Sequence, residues 1–243
     1  MDTEYRRHYR DLFERHWWWR ARSEYIVGNL EKLLPRAGSA SILDVGCGEG
    51  LFFRRLSQFG EVEGIEVEAA LPADSPWRDR IRVCPFDETF QPRKRYSLIL
   101  MLDVLEHLND PAAALRNARR LLAPGGFFVA TVPAFQAAWT NHDVLNQHVR
   151  RYTKRTLAPL LERSGLKILR QRYFFHAAFL AKLGVRGCEC VLRSKPRVPT
   201  IPPAWANEAL FRFSRLEQML LDGVSVPFGS SLMAIAKLEP EKS

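Results

Sequence analysis

Residues 41–50 read SILDVGCGEG, and this stretch decides the fold. Ser41 to Val45 is a short buried-strand run, and it passes directly into Gly46-Cys47-Gly48-Glu49-Gly50. A glycine-rich turn between a first strand and a helix lets backbone approach a ligand at the strand's carboxyl end. The spacing is G-x-G-x-G, and Leu51 stands where a dinucleotide fingerprint has its third glycine. No Lys-Ser/Thr pair follows, which excludes a phosphate-binding P-loop. An aspartate at position 44 disfavours a bound pyrophosphate and suits a cationic ligand.

Outward from this turn, strand and helix signals alternate. GLFFRRLSQFG (50–60) reads as a helix, EVEGIEV (61–67) as a second strand and IRVCPF (81–86) as a weaker third. YSLILML (96–102) is a nearly wholly apolar fourth strand, residues 104–122 a helix and FFVATV (127–132) a fifth strand. Such alternation implies parallel strands joined by crossover helices on both faces of one sheet. Thr153 to Ser164 predicts a further helix, LKILRQRYFF (166–175) a sixth strand and SLMAIAKLE (231–239) the last. Residues 4–34 predict a helix, halted by Pro35 and Gly38. The expected architecture is a Rossmann-like α/β fold with a seven-stranded, mostly parallel sheet. Residues 1–39 form an N-terminal helical extension and 40–243 the main domain, with a helical insertion at about 174–222 before the last strand.

The chain has 243 residues, 47% hydrophobic and 26% charged, a globular balance. A net charge of +9 and a pI near 9.7 admit nucleic acid, an acidic membrane surface or an anionic small molecule as partner. Cys47, Cys84, Cys188 and Cys190 have no zinc spacing and read as reduced thiols of a cytoplasmic protein. The polar N-terminus has no signal-peptide core, and no run approaches the length of a spanning helix.

Glu66 ends the second strand, where such folds place an acid on a ribose diol, and a carboxylate accepts both hydroxyl hydrogens. An adenosine ligand with a positive charge and no phosphate suits Asp44 and Glu66 together, and S-adenosylmethionine is that ligand. LDVGCGEG, GIEV, Phe86-Asp87, YSLILMLDVLEHLNDP and LLAPGGFFVATVP follow in this order across residues 41–133. Together they resemble a class I S-adenosylmethionine-dependent methyltransferase of the small-molecule type, close to the ubiquinone-pathway O-methyltransferase-like group. The resemblance implies that Asp44, Gly46, Cys47 and Gly48 line the methionine moiety and that Glu66 holds the ribose. It implies Asp87 at the adenine amino group beside Phe86, and Met101 and Leu102 against the cofactor.

The expected reaction is methyl transfer to a small-molecule acceptor, at oxygen. A hydroxyl acceptor needs a base, and histidine is the natural one near neutral pH. Residues 142–153, HDVLNQHVRRYT, follow the fifth strand and so emerge at the ligand edge of the sheet. His142 and His148 are candidate bases there, with His107 a further one. Asp143, Arg150, Arg151 and Tyr152 are candidate acceptor-binding residues, the guanidinium forks suiting an anionic group. Asp103, Glu106 and His107 form a possible magnesium cluster by resemblance to the ubiquinone-pathway enzymes, or else Asp103 and Glu106 cap a helix. His16-Trp17-Trp18-Trp19-Arg20 and Pro227-Phe228-Gly229-Ser230-Ser231 resemble segments of a poorly characterised subgroup of these enzymes. This implies that Trp18 helps to cover the pocket. The segment YFFHAAFLAKLGVRGCECVLR carries Lys182, Arg186 and Arg193 among apolar residues. Such a stretch suits an anionic membrane surface or the roof of a lipophilic acceptor pocket. Two rival functions are a nucleic-acid methyltransferase, disfavoured because Asp103-Val104-Leu105-Glu106 replaces an N/D-P-P-Y motif, and a non-catalytic cofactor-binding regulator.

Overall fold

A computed structural model of the chain describes residues 3–36, 38–192 and 198–239, with side chains described over 8–36, 38–189 and 198–239. Arg193, most of the proline-rich connector's first half and the Cys190 side chain lie outside these. One sheet of seven strands has the order β3-β2-β1-β4-β5-β7-β6. Its strands are β1 (Ala40–Val45), β2 (Gly60–Glu66), β3 (Ile81–Val83), β4 (Tyr96–Leu102), β5 (Leu122–Pro133), β6 (Lys167–Phe174) and β7 (Ser231–Lys237). The first five run parallel, and β7 is inserted antiparallel between β5 and β6. The order reverses at β1 and β4, which makes their carboxyl ends the expected ligand edge. Because β7 is antiparallel, its start pairs with the end of β5, Ser231 facing Pro133. Ser230 and Ser231 therefore reach the same edge.

Among the described residues eight α-helices flank the strands: α1 (Thr3–Arg15), α2 (Trp17–Leu30), α3 (Phe53–Leu56), α4 (Pro111–Leu121), α5 (Asn141–Leu145), α6 (Lys154–Arg163), α7 (His176–Leu192) and α8 (Ala204–Leu221). Side chains alternate across each strand, and both sheet faces are buried. In β4, Ile99 and Met101 join Leu115, Ala118 and Leu157 of α4 and α6. Leu98 and Leu100 join Ile26, Leu30 and Phe53 of α2 and α3 on the opposite face.

Several elements depart from expectation, each for a local reason. The helix over 4–34 breaks at His16, which is extended (φ −73°, ψ 135°) and whose Nδ1 accepts from Trp18 N at 3.2 Å to cap α2. The helix expected over 104–122 begins only at Pro111, where Asp110 accepts from Ala113 N at 3.0 Å. Asp103 has φ 58° and starts an irregular loop rather than a helix. The helix over 50–60 is one turn long, since Gly46, Gly48 and Gly50 all take positive φ before it. The insertion is two helices. α8 faces α2 with Asn207, Ser214 and Gln218, all buried, and exposes Trp205, Phe213, Leu216 and Met219. Among the described residues no helix is long and apolar enough to cross a membrane.

Candidate active site

Two adjoining cavities open at the carboxyl ends of β1 and β4. The larger, of about 520 Å³, is lined by Asp44, Gly46, Cys47, Gly48, Glu66 and Leu102. The smaller, of about 200 Å³, lies under the loops after β4 and β5 and under α7. Tyr9, Arg22, Gly46, Leu102, His107 and Asn146 border both.

The larger cavity is shaped by the glycine turn. Gly46 has φ +71°, and a Cβ there would meet Val104 Cγ2 at 2.7 Å. Only glycine fits both demands. Glu66 locks the turn: its Oε2 accepts from Gly48 N at 2.9 Å. Its Oε1 accepts from Val67 N and Glu68 N at 2.8 and 3.0 Å. A carboxylate offers roughly four lone-pair sites, so about one remains for a ligand hydroxyl rather than the two expected. Asp44 is buried, and burial pushes its carboxyl up to about 7, with Glu66 adding to the shift and Arg22 opposing it. A cation beside Asp44 would restore its charge. The Cys47 thiol is pushed up by burial and stays protonated. Arg10 of α1 pairs with Glu49 and ties that helix across the cavity.

Three residues expected here lie elsewhere. Met101 is fully buried in the core because β4 turns it toward α4. Phe86 packs against the same core, and the exposed Asp87 accepts from Thr89 N at 2.9 Å. Glu68 and Leu71 of the loop after β2 border the cavity instead.

The smaller cavity has a polar network at its base. Asp143 is fully buried and takes a two-pronged bond from Arg151, Nε to Oδ1 and Nη2 to Oδ2, both 2.8 Å. It also accepts from Thr140 N at 2.8 Å and meets His148 Nδ1 at 2.9 Å. Burial alone would raise its pKa, but the bonds from His148 and Arg151 hold it well below the carboxylate range. His148 is thereby fixed with Nδ1–H on Asp143, leaving Nε2 without a protein partner among the described residues. Its ring lies 4.8 Å from that of His107, edge to face. The His107 pKa is lowered by burial and by His148. His142 also borders the cavity, but burial pushes it down to about 4 and its Nε2 faces Asn146 Nδ2 at 3.1 Å. Its second nitrogen is thus engaged by a neighbour, whereas His148 Nε2 faces the cavity without one among the described residues.

The Arg151 fork is spent on Asp143 and Ala134 O, and Arg150, which donates to Asn109 O at 3.1 Å, is not among the residues lining the cavity. Tyr152 is buried and donates to Leu105 O at 2.9 Å, a structural tie. Trp18 lines the smaller cavity and is not among the residues lining the larger one, which the resemblance implied its segment would cover. Asp103 turns to Arg22, 2.8 Å away, and accepts from Thr131 Oγ1 at 3.0 Å. The group close enough to share one cation is Glu106, His107 and His148, whose donor atoms lie within 4.8 Å of one another. Glu106 is fully buried, neither carboxylate oxygen has a partner, and burial with Asp103 nearby raises its pKa well above the usual range. Sequence reasoning missed Arg22, which bridges both cavities. Its position four residues after Trp18, on the same helix face, is the signal that would have found it.

Comparison with known proteins agrees with this geometry. A family model described as a methyltransferase domain matches residues 18–171. A Mycolicibacterium smegmatis protein named "Probable S-adenosylmethionine-dependent methyltransferase" is 27% identical over 206 residues, 82% of this chain and 78% of its own. The ubiquinone biosynthesis O-methyltransferase of Bradyrhizobium diazoefficiens is 32% identical over 101 residues, but this covers only 39% of this chain and 40% of that protein. The crystal structure of a SAM-dependent methyltransferase from Archaeoglobus fulgidus superposes with a TM-score of 0.57 at 17% identity, covering 88% of this chain and 94% of its own. Glycine turn, paired acids, strand order and family match converge: this chain belongs to the class I S-adenosylmethionine-dependent methyltransferases.

Proposed function

We propose that this enzyme methylates a hydroxyl of a small molecule held in the cavity of about 200 Å³, with His148 as general base. The observation that carries the reading is the buried Asp143–His148 pair, 2.9 Å apart, at the wall of a cavity that adjoins the cofactor's. Asp143 and Arg151 fix the ring and its tautomer, so that Nε2 can accept the hydroxyl proton. Asp44 and Glu66 would hold the cofactor's ammonium and ribose. When bound, S-adenosylmethionine supplies a methyl group whose C–S bond breaks as the new bond to the acceptor oxygen forms, leaving S-adenosylhomocysteine. His148 takes the acceptor's proton, and the burial of the site keeps competing water away. The ubiquinone O-methyltransferase relatives support oxygen as the methylated atom. The small volume of the cavity, about 200 Å³, supports a small acceptor over a nucleic acid.

The test is labelled-methyl transfer into a small-molecule extract, with S-adenosylhomocysteine titrated calorimetrically beside it. His148→Ala should bind S-adenosylhomocysteine like the wild type while turnover falls roughly 10²–10⁴-fold. Undiminished turnover in that variant would remove the base from this loop.

The partnerless Glu106 carboxylate favours a second reading of the same walls, in which Glu106, His107 and His148 hold a divalent cation that binds the acceptor oxygen. Chelation followed by magnesium or manganese add-back separates the two. Loss and recovery of turnover support the cation, and indifference to chelator supports the base.

A further inference from the structure

We propose that the wall of the acceptor cavity formed by Lys182, Trp18 and Ser230 is an oxyanion site, so that the acceptor carries a carboxylate or phosphate group. The inference rests on the methyltransferase reading of this cavity and assigns its substrate class.

The cavity is bordered by three side chains of fixed or readily held positive charge: Arg22, Arg151 and Lys182. Arg22 is paired with Asp103 at 2.8 Å and Arg151 with Asp143 at 2.8 Å. Lys182 is half-buried and has no carboxylate or carbonyl partner among the described residues. It is not left there by a loosely placed helix. Residues 182, 186 and 189 share one face of α7. Arg186 donates to Gln136 O and Ala137 O at 2.8 and 2.9 Å, and Glu189 accepts from Asn141 N at 3.0 Å. The helix thus docks on the loop after β5 by its polar face and carries Lys182 over the cavity. Leu180, Leu183 and Val185 of the same helix are exposed.

Two further donors point to the same ligand chemistry. Trp18 Nε1 and Ser230 Oγ are buried and find no partner among the described residues. Ser230 is only 1% exposed. One residue places both: the Trp18 ring stacks on Phe175 with centroids 5.6 Å apart, and Ser230 N donates to Phe175 O at 3.1 Å. Phe175 itself takes φ 60°, an uncommon conformation for a phenylalanine, at the turn that leads into α7. Unmet donors are costly inside a protein, and an oxyanion seated against this wall would offer them an acceptor. These residues border the smaller cavity alone, whereas His107 borders both. The acceptor's anionic end therefore lies away from the cofactor, and its hydroxyl lies toward His107 and His148. Burial, with Arg151 adding, brings the Lys182 ammonium down to about 8, while Asp143 and Asp103 oppose the shift; a bound anion would stabilise its charge.

The test follows labelled methyl groups from S-adenosylmethionine into a small-molecule extract, with the products passed over an anion exchanger at neutral pH. The expected result is label in the retained fraction. Phosphatase then separates the two sources: released label marks a phosphate, and still-retained label marks a carboxylate. With the retained pool as substrate, Lys182→Met should raise KM by at least about tenfold and Lys182→Arg should restore most of it, with S-adenosylhomocysteine affinity unchanged in both. Label confined to the unretained fraction, or retained label insensitive to Lys182→Met, overturns the oxyanion site and leaves the methyltransferase reading standing. No label in either fraction, or no S-adenosylhomocysteine binding by the wild type, overturns that reading and the oxyanion site with it.

Discussion

Replacing Glu66 tests the cofactor pocket most directly, because the structure fixes how much of its carboxylate is free. Three of roughly four lone-pair sites are taken by Gly48, Val67 and Glu68 N–H groups. About one charge-assisted hydrogen bond to a ribose hydroxyl remains, worth about 1.5–3 kcal/mol. Glu66→Ala should therefore weaken S-adenosylhomocysteine binding by roughly 10- to 150-fold. It should also loosen the turn. Three backbone donors lose their acceptor beside an open cavity where water can replace it, at about 0.5–1 kcal/mol each. That is about 1.5–3 kcal/mol, or a fall in Tm of roughly 3–12 °C for a chain of this size. Glu66→Gln retains one oxygen and should lie between the two in both measures. Calorimetric titration at pH 7.5 gives the affinity, and differential scanning fluorimetry gives Tm. If both variants bound within about twofold of the wild type, the ribose assignment would be wrong. If affinity fell while Tm held, the three backbone bonds would contribute little and the loss would belong to the ribose alone.

Asp143→Ala should cost about 3–5 kcal/mol in urea unfolding, since it strands Arg151 as a buried unpaired charge; a variant as stable as the wild type would show that water or another carboxylate fills the gap. Asp44 gives cofactor binding a pH dependence. Its carboxyl, raised to about 7 by burial, holds a proton below that pH in the free protein, and a bound cation must expel it. S-adenosylhomocysteine affinity should thus fall as pH drops from 8 to 5.5, by at most about tenfold per unit, with proton release measurable in buffers of different ionisation enthalpy. The same shift makes Asp44 subtract from stability as pH rises from the ordinary aspartate range to about 7, and a flat binding profile would contradict the assignment.

The parallel core was legible because each of its strands is a short apolar run that ends in turn residues, and SILDVGCGEG placed the ligand edge before any coordinates. Asp44, Gly46, Gly48 and Glu66 could be placed on one cavity from sequence because they stand at, or just beside, the ends of two consecutive strands. The acceptor residues were harder, since their partners lie far away in sequence. Nothing local shows that Arg151 is consumed by Asp143 while Lys182 stays free; that depends on how α7 docks on the loop after β5. Asp103 could be read as a helix cap or as a metal ligand beside Glu106, but its carboxylate pairs with Arg22, eighty-one residues earlier in the chain. The late start of α4 was readable in Asp110-Pro111, a cap and first-turn pair outweighed by the apolar residues before it.

The origin of the two cavities' walls bears on how such an enzyme changes over evolutionary time. The acids that line the larger cavity come from the ends of two adjacent parallel strands, β1 and β2, whose register ties them to the core. The smaller cavity's walls come from α2, the loops after β4 and β5, α7 and the start of β7, each joined to the sheet at a different point. A substitution at Lys182 or Ser230 can therefore alter one wall and leave the cofactor's seat untouched. Selection can recruit such a scaffold to a new metabolite one wall at a time, each intermediate still loaded with its methyl donor.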